Sequence, residues 1–481
     1  MRRGLVLNLI SNIMFFVSGY ALHFFLGNSM PPAAYGIVGT ILTVLDFEYM
    51  FVSNGARQSL ASQISRQRYD PIDVIKKTIA FQCIVIACFF ALNFFGAPLF
   101  ADVFGDASLD RYFKVAGLLI IVNGFQVILL GINDGLQRFG TSALLSTFYP
   151  IAKLGVIPLI IFIFRDDPVL GVEVGFILAV LATILLGCML LILSHAPLKN
   201  RLPDRISFGE VARYTLGFSF FFIMVSLVLS VDTLVVKAAV RPADMAGYYT
   251  GAMNFGKIAY YLLQAFSTVI LPVAAQLVGA GKSQEALRRI QELMLLACVF
   301  ILPIAVVISA SSADLLSAFY TEDFAVAAPA LSCLALSNFF MGMTVIANMV
   351  LNSVKASRFS DGLSIVSLIV VIPVFVLAAW FGGITAIAVA SAICTGVVMI
   401  LSLMRVCQQI GHVLTCRAWI VIGINAVLWL TVHIGFSAVR IGNLLLLAVL
   451  YMAIYAMYIA VLLASRVVRL PKLNEMVRAR D

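Results

Sequence analysis

Residues 5–27 of the chain read LVLNLISNIMFFVSGYALHFFLG, an uncharged stretch that the hexapeptide PPAAYG follows at residues 31–36. A helix needs about 20 apolar residues to cross the hydrocarbon core of a bilayer, because its backbone polar groups must all be bonded internally. Residues 5–27 are long enough, and no small-residue cleavage site follows them. They therefore predict a retained transmembrane helix and not a secretory signal.

Apolar stretches of this length recur along the whole chain. Of its 481 residues, 62% are hydrophobic and 11% are charged, and the mean hydropathy is +1.06. Soluble proteins carry about 25% charged residues, so this composition excludes a soluble enzyme, a disordered chain and a disulfide scaffold. We predict an all-α integral membrane protein with 14 transmembrane helices. The predicted spans are residues 5–27, 33–56, 78–98, 112–133, 140–164, 169–194, 210–240, 243–277, 290–313, 324–352, 359–381, 383–404, 417–437 and 441–464.

The basic residues predict the orientation of these spans. Most of the 32 Lys and Arg residues fall in the even-numbered connections and at the two ends of the chain. Cytoplasmic loops of membrane proteins are enriched in Lys and Arg, so both termini are expected in the cytoplasm. The net charge of +9 is explained by these loops, and no nucleic-acid partner is expected.

The first twelve predicted spans resemble two copies of a six-helix unit. Residues 32–36 end the first connection, and residues 241–247 end the seventh, 211 positions later. Six crossings return the chain to its starting side, so the two repeats are parallel and a substrate cavity is expected between them. The predicted organisation has four parts. They are an N-terminal six-helix half (1–208), a C-terminal six-helix half (209–410), helices 13 and 14 (411–465) and a basic cytoplasmic tail (466–481).

Ionisable side chains in the middle of the predicted spans are the first candidate functional residues. A charge at the bilayer centre costs about 2.5–3.5 kcal/mol on insertion scales, so each needs a reason. Lys153 and Lys257 are central in spans five and eight, and we predict that they bind an anionic group of a substrate. Asp46 and Glu48 in span two and Asp232 in span seven are candidate ion-coupling residues. Interhelical ion pairs that only hold the helices together are the alternative.

Two further residues are candidates for substrate binding. Asn12 shares one face of the first span with Asn8 and His23, because spacings of four and eleven residues are close to whole helical turns. This polar stripe either lines the cavity or bonds a neighbouring helix. Arg57 lies at the inner end of span two, where it is expected to anchor the helix and to contact an anionic headgroup.

Neither a cofactor nor an enzymatic activity is predicted. Gly251, Gly256 and Lys257 match the spacing of a phosphate-binding loop, but Ile258 replaces the required Ser or Thr. The segment is also a predicted membrane helix and not a strand–loop–helix unit, so ATP hydrolysis is not expected. The cysteines form no metal-binding pattern, so no metal site is predicted.

The overall plan resembles the multidrug/oligosaccharidyl-lipid/polysaccharide (MOP) exporter superfamily. In its families a proline-containing turn ending in Tyr-Gly commonly opens the second helix, as PPAAYG does at residues 31–36. Fourteen helices, arranged as two six-helix halves and a final pair, are most similar to the Wzx-type oligosaccharide flippases. The lipid II flippase branch typically has an arginine-rich first helix, whereas this first helix carries Asn8, Asn12 and His23.

This resemblance implies a function and a set of partners. The implied activity is translocation of an undecaprenyl-pyrophosphate-linked oligosaccharide across the bacterial inner membrane by alternating access. The substrate would be an O-antigen, capsule or exopolysaccharide repeat unit bound by Lys153 and Lys257. The expected partners are this lipid-linked oligosaccharide and membrane lipid, with a glycan polymerase and a chain-length regulator as candidates, and the protein is expected to be a monomer.

Three other functions remain as alternatives. An ion-coupled multidrug antiporter of the same superfamily would use buried acids, although twelve helices are typical of that branch. A secondary transporter of another fold is the second alternative. A membrane glycan polymerase or ligase is the third, although such enzymes are expected to carry a large outer loop, and no connection here exceeds roughly 25 residues.

Overall fold

The computed structural model describes residues 2–65, 68–193, 203–265, 282–353 and 357–465. All regular secondary structure within these ranges is helical, which confirms the predicted all-α class. The helices are α1 (Arg2–Ser29), α2 (Pro32–Tyr49), α3 (Gly55–Ser65), α4 (Pro71–Phe95), α5 (Ala97–Phe104), α6 (Leu109–Gly135), α7 (Phe139–Lys153), α8 (Val156–Phe162), α9 (Pro168–Leu193), α10 (Phe208–Ala239), α11 (Asp244–Gly256), α12 (Ser283–Leu296), α13 (Leu302–Ala310), α14 (Ser312–Phe319), α15 (Ala328–Ser353), α16 (Ser357–Ile410), α17 (Cys416–Ala438) and α18 (Leu444–Ala464).

Each of the fourteen predicted spans overlaps one of these helices. Among the described residues, ten helices are long and apolar enough to cross a membrane, and the count of fourteen crossings stays a prediction. The boundary predicted between spans eleven and twelve coincides with a kink in α16 at Gly382 and Gly383. Gly383 has a φ of +58°, a conformation that favours glycine because it lacks a Cβ atom.

Two helices differ in detail from the predicted spans. Span two does not end at residue 56, because a π-helical turn (Met50–Asn54) leads directly into α3. Buried Leu60 and Ile64 of α3 pack against Ile132 of α6, which explains the longer helix. Span five is two helices, α7 and α8, separated at Leu154 and Gly155. Backbone bonds from these two residues to the carbonyls three positions earlier tighten the chain at this point.

The chain divides into two compact units, Met1–Thr250 and Gly251–Asp481. In the first unit, α6 is the central helix and contacts α2, α3, α4, α5, α7 and α9. In the second unit, α13 contacts α15 and α17, around a buried apolar cluster that includes Ile301, Val306 and Ile346. Because α10 lies within the first unit, this division falls later in the chain than the domain boundary predicted at residues 208–209, which stays a prediction.

Polar contacts hold the last two helices in place within the second unit. The Trp429 indole N–H of α17 donates to Ser309 Oγ of α13 at 3.0 Å. The Asn425 amide of α17 donates to Tyr458 Oη of α18 at 2.9 Å. Moving an apolar side chain from lipid to a helix interface brings no hydrophobic gain, so hydrogen bonds such as these contribute to helix association in a membrane.

The hexapeptide at residues 31–36 opens α2 as the sequence predicts. Pro31 precedes the helix and Pro32 is its first residue, a position where the missing N–H costs no helical hydrogen bond. Tyr35 is fully buried, and a 2.9 Å hydrogen bond joins its hydroxyl to His23 Nδ1 of α1. The motif therefore links α2 to α1 through this hydrogen bond.

Candidate functional site

Lys153 is surrounded by three other helices of the first unit. It is the last residue of α7 and is partly buried. Its Nζ atom lies 4.8 Å from the ring centroid of Phe176 on α9 and 5.7 Å from that of Phe15 on α1. Both distances are typical of cation–π interactions, each of which contributes roughly 0.5–2 kcal/mol. The carboxylate of Asp46 on α2 interacts electrostatically with the Lys153 ammonium group. The structure thus brings together two of the predicted site residues, Lys153 and Asp46.

A line of polar side chains continues from Asp46 toward α3. Asp46, Tyr49, Ser53 and Arg57 follow one another every three or four residues, the spacing of one helix face. The Tyr49 side chain forms a hydrogen bond with Ser53 and interacts electrostatically with Asp46 and Arg57. Tyr149, one turn before the end of α7, interacts electrostatically with both Asp46 and Tyr49. We call Asp46, Tyr49, Arg57, Tyr149 and Lys153 the polar strip.

Arg57 lies at the end of the polar strip in an ion pair. Its Nε atom donates to Asp134 Oδ2 of α6 at 2.7 Å, and a second nitrogen donates to Ser142 Oγ of α7 at 3.4 Å. Its side chain is 35% exposed, so the guanidinium group is not enclosed. Its five N–H donors leave room for another acceptor, so the predicted headgroup contact stays a prediction.

Glu48 and Asp46 point to different sides of α2, although only two positions separate them. Asp46 is exposed, whereas Glu48 is only 1% exposed. The amide nitrogen of Asn93 on α4 donates to both Glu48 carboxylate oxygens, at 2.8 and 2.7 Å. Glu48 is therefore held inside the helix packing and away from the polar strip.

The remaining predicted residues lie elsewhere. Asp232 of α10 is buried and accepts hydrogen bonds from the Tyr249 hydroxyl at 2.9 Å and from the Thr233 backbone N–H at 2.7 Å. Lys257 belongs to the second unit, where it directly follows α11 and is partly buried. Asn12 is in α1, but its side chain lies outside the described residues.

Three further functional candidates become evident only in the structure. Asp134 and Asn93 are the partners of Arg57 and Glu48, separated from them by 77 and 45 positions. Glu173 of α9 is 4% exposed, and neither of its carboxylate oxygens has a hydrogen-bond partner. Its position in an otherwise uncharged span, residues 169–194, is a signal that the sequence does carry.

Comparisons with known proteins define the fold further. The inward-closed lipid II flippase MurJ has a TM-score of 0.75 at 13% identity, covering 96% of this chain and 100% of that chain. An inward-facing multidrug resistance MATE transporter of the MOP superfamily has a TM-score of 0.70 at 13% identity, covering 84% and 98%. A MOP transporter from Pyrococcus furiosus has a TM-score of 0.58 at 14% identity, covering 85% and 93%. At these identities the likeness is one of fold.

Two family models match the sequence itself. The model described as polysaccharide biosynthesis protein matches residues 2–278, and the model described as MatE matches residues 217–377. A search among curated proteins finds no match. Fold and sequence together define a membrane transporter of the MOP exporter superfamily. Within it, the chain belongs to the polysaccharide biosynthesis protein family, whose model covers more than half of the sequence.

Proposed function

We propose that the protein is a Wzx-type flippase of the bacterial inner membrane, with both termini in the cytoplasm. Its substrate is an undecaprenyl-pyrophosphate-linked oligosaccharide, the repeat unit of an O-antigen, capsule or exopolysaccharide. The observation that carries this proposal is the polysaccharide biosynthesis match over residues 2–278, which includes the entire polar strip. The similarity in fold to the lipid II flippase MurJ, over 96% of this chain, adds support.

The polar strip suits the polar part of such a substrate. Sugar hydroxyls and pyrophosphate oxygens would be left without partners in about 30 Å of hydrocarbon. In the proposed mechanism Lys153 exchanges the Asp46 carboxylate for a pyrophosphate oxygen, while Tyr49, Tyr149 and Arg57 offer hydrogen-bond donors. The polyprenyl tail stays in the lipid throughout. Lys257, in the second unit, is proposed as a further cation for an anionic part of the substrate.

The proposal is tested by deleting the gene and measuring surface polysaccharide, lipid-linked oligosaccharide and drug susceptibility together. We expect surface glycan to be lost and sugar-loaded lipid carrier to accumulate on the cytoplasmic side. Complementation with the wild-type gene should restore the glycan. Normal glycan in the deletion strain would contradict the proposal.

An ion-coupled multidrug antiporter is the second candidate function. The MatE match over residues 217–377 favours it, and the exposed Asp46 carboxylate is a suitable group for a cationic drug. The same deletion strain distinguishes the two functions. Unchanged glycan together with heightened drug sensitivity would support the antiporter, and Asp46→Asn would then be the variant to examine first.

A further inference from the structure

Glu173 lies in a small apolar recess of the first unit. It is on the second turn of α9, and its side chain is 4% exposed. The recess has room for about one water molecule. Its walls come from α2, α6 and α9. They are Val38, Ile41, Leu42, Leu45, Leu119, Val169, Val172 and Phe176.

The surroundings of Glu173 determine which ligand it can bind. Neither carboxylate oxygen has a hydrogen-bond partner, and every other side chain that lines the recess is apolar. Hard metal cations need several oxygen ligands, which these walls do not supply. An unpaired carboxylate is strongly disfavoured in apolar surroundings, whereas the neutral acid is tolerated. A proton is therefore the ion that fits.

Charged groups lie on two sides of the recess. Toward the predicted outer face, Asp167 pairs with Arg111 at 3.0 Å and accepts a hydrogen bond from the Tyr112 hydroxyl at 2.9 Å. Glu173 interacts electrostatically with all three of these residues.

On the other side, Phe176 follows Glu173 by three residues along α9 and covers the Lys153 ammonium group. The α2 residues that line the recess are all apolar, and Asp46 is the charged residue that follows them on that helix. Glu173 therefore lies between an outer polar cluster and the Lys153 end of the polar strip.

We propose that Glu173 is the proton-coupling carboxyl of the first unit. It takes a proton from the outer aqueous face, so that hydronium becomes water and the carboxylate becomes a carboxylic acid. It holds this proton in the closed recess described here. The lipid-linked anion leaves Lys153 toward the outside when this proton binds. After the return to the inward-facing state, α9 parts from α2, the O–H bond breaks and the proton passes to water on the cytoplasmic side, which becomes hydronium. This inference rests on the proposed function.

Infrared spectroscopy of the purified full-length protein tests proton binding without any substrate. We expect the protonated-carboxyl band of the wild type to lose intensity in Glu173→Gln. Glu292→Gln is the matched control, because the Glu292 side chain is 59% exposed and pairs with Arg289 on the surface. That variant should keep the band. A band that is unchanged in Glu173→Gln would overturn the proposal.

Transport in proteoliposomes then tests the coupling. One proton moved per cycle across a difference of one pH unit shifts the steady distribution of the lipid-linked oligosaccharide by about tenfold. We expect this shift in the wild type and in Glu292→Gln, and its loss in Glu173→Gln. Wild-type transport that does not depend on the pH gradient would overturn the coupling role of Glu173 and leave the flippase function standing. No lipid transport by the wild type, with the infrared band present, would overturn the function and leave the proton site standing.

Discussion

Gly36 of α2 and Gly247 of α11 meet at a distance that leaves no room for a side chain. A Cβ atom at Gly36 would lie 2.6 Å from the Gly247 backbone nitrogen, and a Cβ atom at Gly247 would overlap the Pro32 carbonyl oxygen. These glycines end the two segments that the sequence analysis pairs as repeat equivalents. Within the first unit the two segments are in direct contact, a close approach that small residues permit between membrane helices.

Gly247→Ala should destabilise the protein because the atoms it meets are backbone and cannot rotate away. We expect a cost of about 1–3 kcal/mol, the usual range for overpacking, and a lower thermal unfolding temperature in detergent. Gly423→Ala is the control, because Gly423 is also helical but has nothing within 4 Å of its added Cβ atom. That variant should unfold at the wild-type temperature or slightly above it. Equal unfolding temperatures for the two variants would contradict the close contact of Gly247 with the Pro32 backbone.

The ion pair between Asp106 and Lys237 should make stability depend on pH. Lys237 Nζ lies 2.7 Å from Asp106 Oδ2, and the Lys237 side chain is only 4% exposed. Burial alone would raise the pKa of Asp106. Hydrogen bonds from Lys237 and Ser108, together with the Lys237 charge, outweigh burial and hold this pKa below its ordinary value of 3.8.

Because the folded-state pKa is lowered, the stabilising contribution of Asp106 is complete above pH 3.8 and is lost as the pH falls through the folded-state value. Asp106→Asn should cost about 1.5–3 kcal/mol at neutral pH, since it leaves the buried ammonium group with a neutral partner. The variant and the wild type should converge in unfolding temperature in acid. Asp110→Asn, which removes the partner of the more exposed Lys114, should change stability by less than about 1 kcal/mol. A difference in unfolding temperature between the wild type and Asp106→Asn that persists in acid would contradict this role of the ion pair.

The fold follows from the sequence because helix formation in a bilayer is dictated locally. A run of apolar residues must satisfy its own backbone, so length and hydropathy are enough to locate the long apolar helices. The boundary between spans eleven and twelve is predicted for the same reason, and it coincides with the kink at Gly382 and Gly383. The π-helical turn after Tyr49 was not predicted, because it depends on packing against other helices.

The candidate site could be predicted only in part. Lys153 and Asp46 can be recognised from the sequence alone, because each is a charged residue within an apolar stretch. Their proximity, and the pairing of Arg57 with Asp134, depend on how helices far apart in the chain pack together. No periodicity in the sequence records such a contact.

The hydrogen bonds between Asn93 and Glu48 should matter for folding. Asn93→Ala would leave the buried Glu48 carboxyl without these bonds, at a cost of about 1–3 kcal/mol in unfolding free energy. Glu48→Gln should cost less, because two amides can still form a hydrogen bond. Thermal unfolding of both variants and of the double variant measures their coupling. If the changes in unfolding free energy of the two single variants simply add up in the double variant, Asn93 and Glu48 do not interact and the prediction is wrong. Loss of gradient-driven transport in a stable Glu48→Gln protein would instead assign ion coupling to Glu48.

Lys153→Ala should impair export without removing the protein from the membrane. A hydrogen bond to a charged group contributes about 1.5–3 kcal/mol, so export in a complementation assay should fall about 10- to 100-fold. Lys153→Arg keeps the positive charge between the aromatic rings and should restore part of the activity. Lys114→Ala is the control, because Lys114 pairs with Asp110 near the predicted outer surface, and it should export normally.

Lys257→Ala should abolish export in the same assay. Unimpaired export by Lys153→Ala and Lys257→Ala would remove both cations from the proposed mechanism.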